Sequence, residues 1–249
     1  NSLDLATAAE HQISSLKSGD IAYLNIREFS DSTPSRVLSD YQTLVAQAGK
    51  SLDKVILDLR SNGGGTAAGA RGLIDLLVNA DTPAQTNKIY SIQQTGQSYH
   101  LGDFSSAHLN TSLSPMRFAA LMDASSASAS ELTLGALKHY RVATLIGSVS
   151  FGKGVSQAVI ELADGGGLAI TNQRLLLPSG SSYHGIGIEP DICLTTPASS
   201  QSVDPQLEAA VLWVNGGTVT PSGSCSAPAS KSGASRIDPQ LERVLSKIN

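Results

Sequence analysis

Short runs made mainly of apolar residues stand out along the chain, and the clearest of them are followed by apolar residues at helical spacing. Such runs are typical of buried strands, whereas apolar residues three and four positions apart indicate a helix with one buried face. The two clearest pairs are Lys54 to Arg60 followed by Leu73, Ile74, Leu77 and Val78, and Phe118 to Met122 followed by Leu132, Leu134 and Leu137. A recurring strand–helix order predicts an α/β domain whose sheet is mostly parallel.

Further elements are predicted on either side of these pairs. A helix is expected from Thr33-Pro34, because proline is favoured in the first helical turn. Two hairpins are expected where alternating runs meet at glycines, around Thr95-Gly96 and at Asp164 to Gly167. The remaining predictions are strands at Ile21 to Phe29, Ala143 to Gly147, Val155 to Leu162 and Leu168 to Leu177, with irregular structure from Gly185 to Asp191.

The segment before the first strand is polar and has weak helical periodicity. Ala6, Ala9, Ile13 and Leu16 lie on roughly one helical face, and Gly19 ends the pattern. We therefore expect a lead-in helix within residues 1–20. Because the chain begins at Asn1 and not at methionine, the sequence is compatible with a removed leader or upstream domain.

The last part of the chain is rich in Ser, Pro and Gly. Within it the sequence Asp-Pro-Gln-Leu-Glu occurs twice, at 204–208 and 238–242. An Asp cap followed by Pro predicts the start of a helix at each copy, with a loop between them. The expected organisation is a central domain at 21–196 and a tail at 197–249 with two short helices.

Charge and hydropathy exclude two classes of partner. The net charge is −4, and Lys and Arg form no cluster, so the electrostatic signature of a nucleic-acid-binding protein is missing. No apolar run approaches the roughly 20 residues that a membrane-spanning helix needs. We expect neither a nucleic-acid partner nor a membrane span.

Two cysteines, Cys193 and Cys225, enclose part of the Ser/Pro/Gly-rich segment. A disulfide bond between them would close a loop and would suit an oxidising compartment, while two free buried thiols are the alternative for a cytosolic protein. No histidines accompany them at zinc-ligand spacing, so no metal site is expected.

The candidate nucleophile lies where the apolar run ending at Met122 gives way to Asp-Ala-Ser-Ser-Ala-Ser-Ala-Ser-Glu, residues 123–131. Ser128 and Glu131 match the S-x-x-E capping box that opens a helix. A serine at such a strand-to-helix corner has free backbone N–H groups and the positive end of the helix dipole beside its hydroxyl. Ser128 is therefore either a nucleophile for acyl transfer or only a helix cap.

A glycine-rich turn and an unusually placed lysine add to this candidate. Gly63 to Gly65 follow a buried strand, where backbone N–H groups can approach a phosphate or an oxyanion, although a simple tight turn explains them equally well. Neither the phosphate-loop nor the dinucleotide-binding pattern is present. Lys153 lies between two glycines, and a lysine acts as a general base when burial or nearby charge lowers its pKa.

A catalytic triad with a histidine base is the alternative to a lysine base. His184 and His139 are the best candidates for its base, but no histidine lies in an acidic or nucleophilic motif. The G-x-S-x-G pattern of the α/β-hydrolase nucleophile is also absent.

Several motifs taken together resemble those of the C-terminal processing, or tail-specific, peptidases. They are Asp58-Leu-Arg-Ser-Asn-Gly-Gly-Gly65, Ser126-Ala-Ser-Ala-Ser-Glu131, Phe151-Gly-Lys-Gly-Val-Ser-Gln157, Pro178-Ser-Gly180 and Gly185-Ile-Gly-Ile-Glu-Pro-Asp191. They occur in the family's order and extend over roughly residues 20–192. The resemblance implies an α/β core of the ClpP/crotonase type, with a mixed sheet, flanking helices and a short helical C-terminal tail.

The resemblance also implies a Ser/Lys dyad without cofactor or metal. By motif position Ser128 is the nucleophile, Lys153 the base and Gln157 the residue that orients the lysine. The oxyanion hole would comprise the N–H of Ala129 and one N–H of the glycine turn, for which we take Gly64. The expected activity is that of a serine endopeptidase acting on polypeptides.

Many relatives carry a peptide-binding PDZ module before the first strand, and we expect none in this chain because only about 20 residues precede Ile21. The tail resembles endings of exported bacterial relatives, which implies a periplasmic, secreted or lipid-anchored protein. Two other functions stay open at this point: a non-proteolytic binding protein on the same fold, and a crotonase-like acyl-CoA enzyme.

Overall fold

The computed structural model describes residues 13–78, 88–94, 97–100, 117–161, 166–194, 204–222 and 225, which form two β-sheets and four helices. The strands are β1 Ile13–Ser18, β2 Ile21–Ile26, β3 Lys54–Asp58, β4 Ser91–Gln94, β5 Gln97–His100, β6 Arg117–Met122, β7 Thr144–Gly147, β8 Val155–Glu161, β9 Gly167–Leu176 and β10 Ile192–Cys193. The helices are α1 Thr33–Ala48, α2 Ala67–Leu77, α3 Ala129–His139 and α4 Pro205–Val214.

The larger sheet forms the core, with strand order β1-β2-β3-β6-β7-β10. From β2 to β10 all neighbours are parallel, as the strand–helix order predicts. Successive residues of β3 face opposite sides: Val55 and Leu57 lie in a core with α1, α2 and α3, whereas Ile56 lies in a second core with α4. Burial on both faces explains why this strand reads as a continuous apolar run.

The smaller sheet is antiparallel, with strand order β5-β4-β9-β8. Both predicted hairpins are confirmed, since β4 pairs with β5 and β8 with β9. The residues between the strands of each hairpin lie outside the described residues, except Gly166. This sheet places the start of β8, and with it Lys153, beside the carboxyl ends of the parallel strands, where open α/β sheets bind their ligands.

The prediction of a lead-in helix is wrong for the part of that segment that the structure describes, which begins at Ile13. Ile13–Ser18 is instead the strand β1, which pairs antiparallel with β2. Gly19, with a φ of 59°, and Asp20 form the tight turn between them. The tertiary context, here pairing with β2, outweighs the weak helical preference indicated by the spacing of Ile13 and Leu16.

The part of the tail that the structure describes packs against the larger sheet. As predicted, α4 begins at Pro205, and the Asp204 carboxylate caps it by accepting the Leu207 N–H at 3.0 Å. Its buried Ala210 and Val214 pack against the larger sheet. The second predicted helix, at 238–242, lies outside the described residues.

A disulfide bond joins Cys193, at the end of β10, to Cys225. The tail therefore has a covalent attachment to the sheet in addition to the apolar contacts of α4. Among the described residues, no helix is both long and apolar enough to cross a bilayer.

Candidate active site

A buried carboxylate shapes the chain where β6 ends. Asp123 accepts the N–H groups of Ser125 and Ser126 at 2.9 and 3.0 Å, and that of Ser61 at 3.0 Å. The Ser126 hydroxyl donates to the Leu59 carbonyl at 2.9 Å. These bonds fold the chain back sharply after the strand and fasten the corner to the end of β3.

Ser128 occupies the helix-capping position at this corner in an unusual backbone conformation. Its φ of 56° and ψ of −112° are rarely adopted by residues other than glycine, and such strain costs about 1–3 kcal/mol. The capping box with Glu131 is formed, as predicted, and the Ser128 N–H donates to Glu131 Oε2 at 2.9 Å. Strain at a half-buried serine that begins a helix is the arrangement expected of an activated nucleophile.

Glu131 does more than complete the capping box. Its carboxylate is fully buried and accepts four hydrogen bonds, from the Ser150 hydroxyl at 2.6 Å and from the N–H groups of Gly152, Lys153 and Ser128 at 2.6, 2.7 and 2.9 Å. Burial raises the pKa of Glu131, while these hydrogen bonds act in the opposite direction. One side chain thus joins the serine corner to the loop that carries the lysine.

The backbones of the two candidate dyad residues are brought together through this carboxylate. The Ser128 and Lys153 N–H groups donate to the same oxygen, Glu131 Oε2, so their backbones are direct neighbours. The Lys153 side chain itself is exposed. Gln157 is also exposed, and its amide donates to Thr171 Oγ1 at 3.3 Å and not to the lysine.

The glycine turn lies directly against Ser128. A Cβ on Gly64 would be 2.8 Å from both Ser128 Cβ and the Ala127 oxygen, and 3.1 Å from the Ala129 nitrogen. Because real Cβ atoms do not approach so closely, only glycine fits at this position. The predicted neighbours Ser128, Ala129 and Gly64 therefore lie side by side.

The N–H of Gly64 already has a partner, the Asn62 side chain, whose Oδ1 accepts it at 2.8 Å. The neighbouring peptide N–H, that of Gly65, and the N–H of Ala129 make no hydrogen bond within the part of the chain that the structure describes. Both N–H groups are thus free, among the described residues, to donate to a bound ligand.

The two candidate histidine bases lie in different places. His139 ends α3, ten positions beyond Ala129 and thus roughly 15 Å along the helix axis from the serine end. His184 lies against Gly154, beside Lys153, and burial followed by the charge of Arg174 lowers its pKa. Only His184 is near the site, and its Nδ1 is buried without a partner among the described residues.

A network of charged side chains lies at the end of β3, just before the glycine turn in the chain. No sequence motif indicated how far this network extends. The Arg60 guanidinium binds Asp58 at 2.6 Å and Asp204 at 2.8 Å, linking β3 to the start of α4. Although burial acts to lower the pKa of Arg60, the hydrogen bonds and charges of the two carboxylates raise it overall. Tyr23 donates its hydroxyl to Asp58 at 2.7 Å, and burial followed by the Asp58 charge raises the pKa of this tyrosine.

Curated proteins similar to this chain are proteases. It is 36% identical over 184 residues to a carboxy-terminal-processing protease of Bartonella bacilliformis, a match that covers 72% of this chain and 40% of that protein. It is 33% identical over 182 residues to a probable CtpA-like serine protease of Staphylococcus aureus, covering 73% of this chain and 34% of that one. The chain spans well under half the length of these relatives.

Among solved structures, the fold is similar to that of a photosystem II D1 C-terminal processing protease. The TM-score is 0.59 at 27% identity, over 70% of this chain and 42% of the other. The sequence model of peptidase family S41 matches residues 20–194, which include the serine corner, the glycine turn and the lysine loop. The chain therefore belongs to peptidase family S41.

Proposed function

We propose that this chain is a serine endopeptidase of the C-terminal processing type, with Ser128 as nucleophile and Lys153 as general base. The observation that carries the proposal is the Glu131 carboxylate, which holds the backbone N–H groups of both residues on one oxygen atom. A binding protein or an acyl-CoA enzyme on this fold would have no need to fix a lysine beside a strained serine.

The proposed reaction has two stages. The Ser128 hydroxyl attacks the peptide carbonyl while neutral Lys153 accepts its proton, and the tetrahedral intermediate then collapses as the C–N bond breaks. Lys153 returns the proton to the leaving amine, and water repeats the sequence on the acyl-enzyme. A peptide lying across the site would bury the exposed lysine, which is the condition that favours its neutral form.

The oxyanion hole is proposed to use the N–H of Ala129 and the peptide unit between Gly64 and Gly65. The carbonyl of that unit, from Gly64, accepts the Phe29 N–H at 2.8 Å. Because C=O and N–H of a trans peptide point in opposite directions, the Gly65 N–H points away from Phe29. Phe29 follows β2 and Ser128 follows β6, on opposite sides of β3, so this N–H faces the serine. The proposed donor is thus one residue beyond the Gly64 expected from motif position.

Gln157 is proposed to orient Lys153 when substrate is bound. Its present bond to Thr171 is 3.3 Å long and joins two partly exposed side chains, so it is weak and readily exchanged. Gln157 follows Lys153 by four residues, near the start of β8, and its side chain is exposed.

The substrate is proposed to be a polypeptide, and the protein to work outside the cytoplasm in the periplasm, at the cell envelope or as a secreted enzyme. The Cys193–Cys225 disulfide supports this location, because such bonds persist in oxidising compartments.

Digestion of an unbiased peptide mixture, followed by mass spectrometry of the products, tests the proposal. We expect the wild-type protein to produce new peptide termini and the Ser128→Ala variant to produce none. Ser125→Ala is the matched control, since this exposed serine lies in the same corner. Cleavage that persists in Ser128→Ala, or absence of cleavage by the wild type, would refute the assignment.

A further inference from the structure

A fully buried asparagine, Asn62, lies at the junction of three parts of the proposed site. Its side-chain amide donates to the Ile26 carbonyl, at the end of β2, at 2.7 Å. Its Oδ1 accepts the Gly64 N–H at 2.8 Å. Its backbone carbonyl accepts the Ala127 N–H and the Ser130 hydroxyl, each at 3.0 Å, on either side of Ser128.

We propose that Asn62 is the positioning residue of the oxyanion hole: by holding the Gly64 N–H it fixes the peptide that follows, so that the Gly65 N–H faces Ser128. This inference rests on the proposed function and adds a residue to it. Asn62 does not touch the reacting atoms; it acts through the glycine turn.

The glycine turn needs such a support because its residues are conformationally free. Gly64 and Gly65 have φ values of 109° and 135°, a region that other residues rarely adopt. Two hydrogen bonds hold Gly64 on its two sides. Its carbonyl, in the peptide between Gly64 and Gly65, accepts the Phe29 N–H, and its N–H, in the preceding peptide, donates to Asn62. The Asn62 side chain is itself held rigid by Ile26, so the turn is fixed relative to β2.

The Asn62 bond also removes a competing donor. With its N–H on Asn62, Gly64 offers the substrate carbonyl no hydrogen bond, which leaves the Gly65 N–H as the proposed donor from the glycine turn, in addition to that of Ala129. A preorganised donor stabilises the transition state more than the ground state, because it needs no rearrangement when negative charge develops. Loss of Asn62 should therefore lower kcat more than it changes KM.

Two substitutions separate the contributions of the two side-chain bonds. Asn62→Ala removes both, whereas Asn62→Ser keeps a side-chain oxygen that can accept the N–H two residues later in a serine turn. We expect kcat to fall about 10²-fold in Asn62→Ala at unchanged KM, with partial recovery in Asn62→Ser. The affinity for a peptide boronate, which mimics the tetrahedral intermediate, should fall in parallel with kcat.

Asn25→Ala is the matched control, since Asn25 makes one side-chain bond to the Asp58 carbonyl and does not contact the glycine turn. Asn62→Ala with wild-type kcat, equal kcat in the Ala and Ser variants, or KM and kcat changes that match those of Asn25→Ala would each overturn the inference. Thermal unfolding of every variant confirms that the protein measured is folded.

A crystal structure of the wild-type protein with the boronate bound to Ser128 tests the same inference without any substitution. We expect the boronate oxygen to accept the N–H groups of Gly65 and Ala129 while Gly64 keeps its bond to Asn62. A boronate oxygen bound to the Gly64 N–H, with Asn62 displaced, would contradict it. If the wild type neither cleaves peptides nor reacts with the boronate, the proposed function fails first.

Discussion

The two halves of the candidate dyad are built differently. Around Ser128 the supporting side chains of Asn62, Ser126, Ser130 and Glu131 are all fully buried, and each makes at least one hydrogen bond to another segment. Around Lys153, by contrast, the backbone N–H is held by Glu131 but the side chain is exposed, as is Gln157. We call the surroundings of Ser128 the nucleophile half, which is preorganised, and those of Lys153 the base half, whose side chains are open to solvent.

This difference suggests that the two halves contribute at different times. The donors and the strained serine need no rearrangement, so they can act as soon as a carbonyl arrives. In the proposed mechanism the lysine must first be covered and oriented, and a bound peptide would do both. Substitutions in the nucleophile half should therefore affect both stability and catalysis, whereas those in the base half should affect catalysis alone.

The largest effect is expected from Lys153→Met, which removes the amine and keeps the length of the side chain. We expect kcat to fall by about 10⁴-fold. Because the side chain is exposed, the free energy of unfolding should stay within about 0.5 kcal/mol of the wild type. Peptidase assays and urea denaturation measure the two quantities. Lys50→Met, at a surface lysine paired with Asp20, is the control; a similar loss of activity in both variants would contradict the assignment.

Glu131→Gln should disrupt the hydrogen bonds that join the Ser128 corner to the loop that carries Lys153. The glutamine amide nitrogen replaces one carboxylate oxygen and can no longer accept the two N–H or O–H donors that meet there. A misplacement of the reacting groups by about 1 Å can cost about 10²-fold in rate, and we expect a loss of this size in kcat. Glu208→Gln, at an exposed position on α4, should have wild-type activity. Equal activity in the two variants would show that Glu131 is not the link.

Arg60→Met tests how much the ion pairs of Arg60 contribute to stability. It leaves the buried Asp58 carboxylate without its cation, which should lower the free energy of unfolding by about 3 kcal/mol. Asp204→Asn keeps a good helix cap and removes only the more exposed ion pair, so its loss should be about 1 kcal/mol or less. Chemical denaturation compares the two. A larger loss in Asp204→Asn would indicate that Arg60 serves mainly to dock α4.

The smallest expected effect concerns His184, which lies beside Lys153. Its pKa is lowered in the folded protein, so the neutral form is favoured there; the resulting stability is present above about pH 6.5 and is lost as pH falls through the lowered pKa. The free energy of unfolding should therefore decline less steeply below pH 6.5 in His184→Gln than in the wild type. His139→Gln, at the far end of α3, is the control. Identical slopes for wild type and His184→Gln would contradict the shift.

Much of the fold was predictable because its strands and helices have clear local patterns. The buried strands, the helix after Ser128 and the Asp204-capped α4 all follow from residues within a few positions of one another. The exception, β1, depends on pairing with β2, and its Ile13 and Leu16 happen to lie at helical spacing. The pair Gly19-Asp20, directly before the strand that begins at Ile21, was the available hairpin signal.

The site was predictable in its motifs but not in its supporting contacts. The serine corner, glycine turn and lysine loop each have a local signature. Three of the four donors to Glu131 lie 19 to 22 residues away, and Asp204 lies 144 residues from Arg60, so no local pattern could reveal these contacts. The partner of the Gly64 N–H could not be predicted from the sequence, because it depends on the direction in which the Asn62 side chain points.

Labelling with a fluorophosphonate, followed by peptide mapping, tests the Ser128/Lys153 dyad most directly, because the reagent reacts only with an activated serine. We predict that the native protein is modified at Ser128 alone, that Ser128→Ala is not modified, and that Lys153→Met is modified far more slowly. Modification at Ser125, Ser126 or Ser130, or an unchanged rate in Lys153→Met, would contradict the dyad.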